Sequence, residues 1–177
     1  MRYLKKPEGR YDFSAVEREL EGADAALETA DAEIDNADKR GARRALMKAV
    51  EHLNAAVELS VQLDFGKEAD GVLARLYYCR GHAAALLNKL ERGSVNMTRA
   101  IADLVKSAEL KPNARTYLRL GEVYALADNL DAALDSFEKA IRLDFNCAEA
   151  HILAKLIREK RGETEDPYED IEEPIVF

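Results

Sequence analysis

Few side chains in this 177-residue chain have the types and spacing that catalysis or metal binding needs. The histidines His52, His82 and His151 lie far apart, with no HExxH pair and no carboxylate at metal-ligand spacing. The sequence also has no glycine-rich phosphate loop and no GxSxG nucleophile turn. Because an enzyme site normally joins a base to a group that orients it, we expect ordinary surface or core histidines. The sequence predicts a protein that is not an enzyme and that uses no metal and no cofactor.

The two cysteines, Cys79 and Cys147, are isolated and lack CxxC spacing, which argues against a disulfide framework or a zinc site. Free cysteines are among the most buried residue types, so we expect structural thiols. No window approaches the roughly 18 apolar residues of a membrane span. The basic start MRYLKKPEGR lacks the apolar centre of a secretion signal. We therefore expect a cytoplasmic protein without a membrane span.

The formal charge of −8 is unevenly distributed along the chain. Residues 1–11 carry +3, residues 12–35 carry −8, residues 36–162 carry +4 and residues 163–177 carry −7. A nucleic-acid-binding protein needs a basic face, and an acidic first helix with an acidic tail does not supply one. The charge pattern therefore predicts that nucleic acid is not a partner.

The most regular stretch is ARTYLRLGEVYALADNLDAALDSFEKAIRLDFN, residues 114–146. Apolar and small residues recur at three- and four-residue spacing in two runs, which predicts two amphipathic helices, and Asp128 and Asn129 break the pattern between them. The order of large and small residues resembles a tetratricopeptide (TPR) repeat, with Phe145 where the closing proline usually stands. The matching positions are Tyr117, Leu120, Gly121, Tyr124, Ala133, Phe137 and Ala140.

The residue pattern of the second helix of this unit occurs twice more, earlier in the chain. The patterns that begin at Leu53, Ala100 and Ala133 share their spacing and are offset by 47 and 33 residues. The longer offset holds two insertions of seven residues, close to two helical turns each, so the apolar stripe stays on one face. The spacing predicts a long helix over about 67–91 and its partner over about 95–110, with Gly93 and Ser94 at the turn.

We therefore expect an all-α fold, and the resemblance implies a right-handed α-solenoid of TPR-like hairpins with about seven helices. The predicted divisions are an extended N-terminal arm, 1–13, a TPR-like helical domain, 14–162, and an acidic tail, 163–177. The helical domain divides into hairpins 14–65, 67–111 and 113–145 and a C-terminal capping helix, 147–161. Ser14 is the predicted N-cap of the first helix, with Glu17 three residues later.

The TPR resemblance implies a non-catalytic adaptor or scaffold that binds a peptide or helix of an unidentified partner protein on its concave face. In the co-chaperone branch of the family, basic residues two and six positions into a repeat hold a carboxylate. Here those positions are Arg115 and Arg119, although Cys79 replaces the clamp asparagine. The predicted groove consists of Tyr78, Cys79, Arg115, Leu118, Arg119 and Glu122. The alternative is that both arginines are solvated or pair with nearby acids such as Glu122.

Two other roles stay open at this stage. Some TPR proteins are dedicated chaperones for a secreted or assembling client, which is the alternative function. The tail 163–177 combines seven acids with the apolar end Ile175, Val176 and Phe177. It is therefore a candidate for self-association or for occupying the chain's own groove, and the alternative is a segment that only aids solubility.

Overall fold

The computed structural model describes residues 13–62, 69–91 and 96–162, apart from the side chains of Gln62 and Asn96. Within these residues the chain forms seven helices: α1 (Ser14–Asp35), α2 (Lys39–Gln62), α3 (Asp70–Leu90), α4 (Asn96–Leu110), α5 (Ala114–Leu126), α6 (Leu130–Leu143) and α7 (Ala148–Lys160). The predicted arm before residue 13, the turn at Gly93 and Ser94, and the tail 163–177 lie outside the described residues.

The helices belong to two compact units, the first ending at Lys111 and the second beginning at Pro112. The spacing predicts one helical domain over residues 14–162, and the structure divides this range where Pro112 prevents α4 from continuing. In the first unit α1 pairs with α2, α2 packs on α3, and α3 pairs with α4. In the second, α5 pairs with α6 and α7 packs on α6.

The start of α1 differs from the prediction by one residue. Ser14 is the first helical residue, and the N-cap position is occupied by Phe13, which makes no side-chain capping bond. The Phe13 carbonyl accepts the Glu17 amide at 2.9 Å. The predicted N-cap at Ser14 is therefore wrong, because the backbone of the preceding residue closes the first turn.

The connection between α1 and α2 is a tight turn of three residues. Ala37 has a φ of 59°, in the left-handed region. Asp38 then accepts the amides of Arg40 and Gly41 through Oδ1, each at 3.0 Å, and so caps α2. The turn is short because α1 continues to Asp35 and α2 begins at Lys39.

The core of the first unit comes from one stripe of each helix. Leu20 of α1, Leu53 of α2 and Leu76 of α3 lie in one cluster, and Leu46 and Ala83 lie in a second. Ser107 of α4 donates to the Ala74 carbonyl of α3 at 2.8 Å, which satisfies a hydroxyl that is almost fully buried.

The second unit is organised around Phe137, which is 1% exposed. Gly121 of α5 lies directly against its ring and lets the two helix backbones approach closely. Asn129 caps α6 by accepting the Ala132 amide at 3.2 Å. On the other side of α6, α7 contributes Ala154 and Ile157 to the same core. The described chain is thus all-α and built from helical hairpins, as its spacing predicts.

Candidate interaction surfaces

The α5 face, which we define as Arg115, Arg119 and Glu122, carries the two predicted arginines one turn apart. Asn113 begins this helix by accepting the Thr116 amide at 2.9 Å and its hydroxyl at 3.1 Å. Arg115 is exposed, whereas Arg119 is half-buried and donates to Glu122 Oε2 at 2.8 Å. In this structure Arg119 therefore pairs with Glu122, which was the alternative interpretation of this residue.

Two of the predicted groove residues lie in the core instead. Leu118 is 6% exposed and packs in the cluster around Phe137. Cys79 is 8% exposed and packs with Leu20, Leu53 and Leu76 in the first unit. Neither side chain offers much surface to a ligand, because each points into the packing of its own unit. Spacing alone could not separate them from the half-buried positions one residue away.

Tyr78, the remaining predicted residue, lies on α3 beside a feature that the sequence analysis missed. Its ring stacks on His82 with a centroid distance of 6.1 Å and an interplanar angle of 15°. One turn earlier, Arg75 donates to Asp24 Oδ2 of α1 at 2.6 Å. Arg75 precedes Gly81 by six residues, as Arg115 precedes Gly121, so the repeat spacing was the signal that pointed to it.

The six predicted groove residues therefore belong to two units. Tyr78 and Cys79 lie in the first, and Arg115, Leu118, Arg119 and Glu122 lie in the second. Each set is therefore described within its own unit. Among the six residues, the exposed charged side chain is Arg115 of the α5 face.

A further surface, which we call the α1–α2 groove, was not predicted. It has a volume of about 400 Å³ and is lined on one side by Gly22, Ala25, Ala26, Thr29 and Glu33 of α1, and on the other by Gly41, Arg44, Ala45, Lys48 and His52 of α2. The His52 ring lies 2.9 Å from where a β-carbon on Gly22 would be, and its Nδ1 is 2.7 Å from Glu19 Oε2. A larger residue at position 22 would displace this ring.

Gly41 plays a similar part at the other end of the groove. A β-carbon there would lie 2.7 Å from Asp38 Oδ2 and 2.8 Å from the carboxyl carbon of Glu33. The glycine thus lets the Glu33 side chain lie against the first turn of α2. The hydrogen bond from the Gly41 amide, followed by that from Arg40 and the charges of Arg44 and Arg40, lowers the pKa of Asp38 despite some desolvation.

A buried arginine–carboxylate pair in the first unit has a structural role. Arg80 of α3 donates to both carboxylate oxygens of Asp103 of α4 at 2.7 Å, and a third bond at 3.1 Å reaches Asn54 of α2. The hydrogen bonds to Asp103 raise the pKa of Arg80, against the lowering effect of burial. This buried pair links three helices. In the second unit, the hydrogen bond to Asp135 raises the pKa of Lys139 in the same way.

The histidines have local partners and do not converge. His151 Nε2 lies 2.9 Å from the Phe145 carbonyl, and the two rings meet edge to face at 5.1 Å. Within residues 13–62, 69–91 and 96–162, no three His, Cys, Asp or Glu side chains are grouped so as to hold a metal ion. Cys79 and Cys147 are not joined in a disulfide. None of the helices in the described part of the chain is long and apolar enough to cross a membrane.

Comparisons with known proteins agree with this architecture. The family model for the tetratricopeptide repeat matches residues 114–147. The TPR domain of Arabidopsis OM64 is 17% identical, with 80% of this chain and 98% of that chain covered and a TM-score of 0.50. A crystal structure of MamA is 24% identical, with 76% and 85% covered and a TM-score of 0.49. No protein with a curated description matches the chain.

The family model covers α5, α6 and the turn that follows them, the stretch in which Gly121 packs against Phe137. The likeness to the OM64 domain extends over most of the chain and shows a shared fold. Residues 114–147 therefore form a tetratricopeptide repeat, and the described chain shares the fold of a TPR domain.

Proposed function

We propose that this chain is a non-catalytic adaptor that binds a peptide or helix of a partner protein on the α5 face. Tetratricopeptide repeats are protein-interaction modules, and their first helices line the surface that meets the partner. The observation that carries the proposal is Arg115, an exposed guanidinium on the first helix of the recognisable repeat, with Arg119 one turn away.

The geometry favours a partner segment that presents a carboxylate. Arginine can bind a carboxylate with two parallel hydrogen bonds, and such charge-assisted bonds are among the stronger ones available to a protein surface. Glu122 already accepts a bond from Arg119 at 2.8 Å, so it holds that side chain in place before a ligand arrives. A ligand carboxylate on the α5 face would thus meet the exposed Arg115 and compete with Glu122 for Arg119.

The test is an affinity pull-down from lysate of the source organism with the full-length chain and Arg115→Glu/Arg119→Glu. The matched control is Arg142→Glu/Lys155→Glu, which makes the same change in charge at exposed residues of α6 and α7. Far-UV circular dichroism checks that each variant keeps its helical content. Mass spectrometry then identifies the proteins that each variant retains.

We expect a partner that the wild type and the control retain and the α5-face variant loses. Equal recovery by all three would refute the role of the arginines. Recovery of one unstable client that is soluble only with this chain would instead favour the dedicated chaperone. We also propose a cytoplasmic location, because a chain whose two cysteines form no disulfide agrees with a reducing compartment; cell fractionation tests this.

A further inference from the structure

The α1–α2 groove is large enough to hold part of a peptide chain. Its volume of about 400 Å³ lies within the range of about 300–1,000 Å³ that is typical of ligand pockets. Ala26 and Ala45 are nearly buried beneath it, whereas Ala25 and Thr29 are exposed on its α1 side. The groove therefore combines a floor of small apolar side chains with space above it for a ligand.

The α1 side of the groove is nearly free of the acids that dominate this helix. Helix α1 contains eight acids, but among its residues that line the groove Glu33 is the one acid, and it lies against Gly41 at one end. At about 100° per residue, the α1 lining lies within about 60° of Gly22, and five acids lie on the opposite side of the helix. These five are Glu17, Asp24, Glu28, Asp31 and Asp35. Most of the negative charge of α1 is thus turned away from the groove.

The α2 side of the groove is basic. Arg44 and Lys48 line it one turn apart, and both are exposed. Within the described part of the chain neither forms a salt bridge, although the charge of Arg44 helps to lower the pKa of Asp38. The third basic residue of the lining, His52, is held by Glu19 at 2.7 Å. The groove therefore presents two cations that no ion pair neutralises.

The cations of this helix also repel each other. The first ten residues of α2 contain five cations and no acid, and Arg40, Arg44 and Lys48 follow one another at intervals of one turn. Like charges four residues apart destabilise a helix. A bound anion beside Arg44 and Lys48 would offset this repulsion, so the charge of the groove favours an acidic ligand.

We propose that the α1–α2 groove binds an acidic segment of a partner protein in an extended conformation. In an extended chain, alternate side chains lie on the same side at intervals of about 7 Å. The β-carbons of residues on adjacent turns of a helix, such as Arg44 and Lys48, are about 5–6 Å apart. Two carboxylates separated by one residue can therefore each meet one of these cations. The residue between them then lies on the other side of the segment, over Ala26 and Ala45.

A nucleic acid is the other polyanion to consider. Its phosphates need a broad basic face. The α1 helix next to the groove carries acids such as Glu28 and Asp31 on its far side, which would repel phosphates beyond the groove itself. A single peptide segment is narrow enough to meet the groove alone. The distribution of charge therefore favours an acidic peptide over a nucleic acid.

The test uses the full-length chain and a synthetic probe, a fluorescein-labelled peptide of alternating glutamate and alanine. Fluorescence anisotropy measures its binding at low salt and as salt is raised. We expect binding that weakens with salt, because ions screen exposed charges. A matched peptide with glutamine in place of glutamate should not bind. Arg44→Glu/Lys48→Glu should weaken binding by at least about tenfold, because like charges then meet in the groove.

Two further variants separate binding in the groove from general attraction to a cation. Ala25→Leu/Thr29→Leu leaves the charge unchanged and fills the α1 side of the groove, so it should also weaken binding. Arg142→Glu/Lys155→Glu makes the same change in charge at exposed residues of α6 and α7 and should bind the probe like the wild type. Far-UV circular dichroism checks that each variant keeps its helical content.

The proposal would be overturned if both groove variants bound the probe like the wild type, or if the α6 and α7 control lost binding to the same extent. It would also be overturned if the wild type did not bind the probe at low salt. An equally tight complex with a single-stranded oligonucleotide of the same charge would refute the preference for a peptide. The groove belongs to the first unit and the α5 face to the second, and their variants share no residue, so either proposal can fail alone.

Discussion

Replacing Gly121 by alanine tests the close packing of α5 against α6. A β-carbon at this position would lie 2.5, 2.6 and 2.9 Å from three ring carbons of Phe137. Carbon atoms in contact are normally about 3.5–4.0 Å apart, so the ring would have to move by about 1 Å. Phe137 is 1% exposed and packs with Ala133, Ala140 and Ile141, which leaves it little room.

Two opposing effects set the size of the change. Adding a methyl group to a filled core costs about 1–3 kcal/mol. Replacing glycine by alanine within a helix contributes about 0.5–1 kcal/mol of stability. Overpacking is the larger effect, so we expect Gly121→Ala to lower the free energy of unfolding by about 1–2 kcal/mol. In a chain of this length, each kcal/mol corresponds to about 2–4 °C in Tm.

Gly71 of α3 provides a matched control, because a β-carbon there would meet nothing within 4 Å. Gly71→Ala keeps the helix-propensity gain without the collision and should raise stability by up to about 1 kcal/mol. The assay is thermal and urea unfolding of full-length chains, followed by circular dichroism. In Gly121→Ala/Phe137→Leu the smaller side chain gives room, so the combined loss should be less than the sum of the single losses. The reasoning fails if Gly121→Ala is as stable as Gly71→Ala.

Two further predictions use the same unfolding assays. Arg80→Met leaves the carboxylate of Asp103, whose side chain is 7% exposed, without its cation. We therefore expect the free energy of unfolding to fall by about 3–5 kcal/mol. Arg80→Met/Asp103→Leu should recover most of this loss, because it removes the buried charge as well. Equal losses in the single and double variants would contradict this account. The Asp38 carboxylate caps α2, and its pKa is lower in the folded chain than in the unfolded chain. Its stabilising effect is therefore fully present above its ordinary, unfolded pKa of about 3.9 and is lost as pH falls through its lower folded-state pKa. The stability difference between wild type and Asp38→Asn should therefore be seen at neutral pH and shrink in acid, and a difference independent of pH would disprove the capping role.

The hairpins were predictable because each helix carries a regular apolar stripe. The predicted helix over 67–91 contains the observed α3, and the capping helix over 147–161 contains α7. The exceptions are local. Phe13 takes the N-cap position of α1 that Ser14 was expected to fill, and its carbonyl accepts the first hydrogen bond of the helix, from the Glu17 amide.

The candidate surfaces were less predictable. Arg115 and Arg119 are both arginines and lie one turn apart in the same helix. Arg115 is nevertheless exposed, whereas Arg119 is half-buried and donates a hydrogen bond to Glu122. Leu118 and Cys79 were assigned to a groove and lie in the core. A difference of one residue rotates a side chain by about 100° around its helix, so small uncertainty in the register changes its exposure.

The sequence by itself determined the class of this protein, because helical periodicity and the order of large and small residues from Tyr117 to Ala140 depend only on local spacing. Only the tertiary structure decided which side chains meet across helices. The ring of His52 over Gly22 and the paired hydrogen bonds between Arg80 and Asp103 join residues that are more than 20 positions apart. Such contacts depend on how two helices are aligned and rotated against each other, and packing of the whole core sets that alignment.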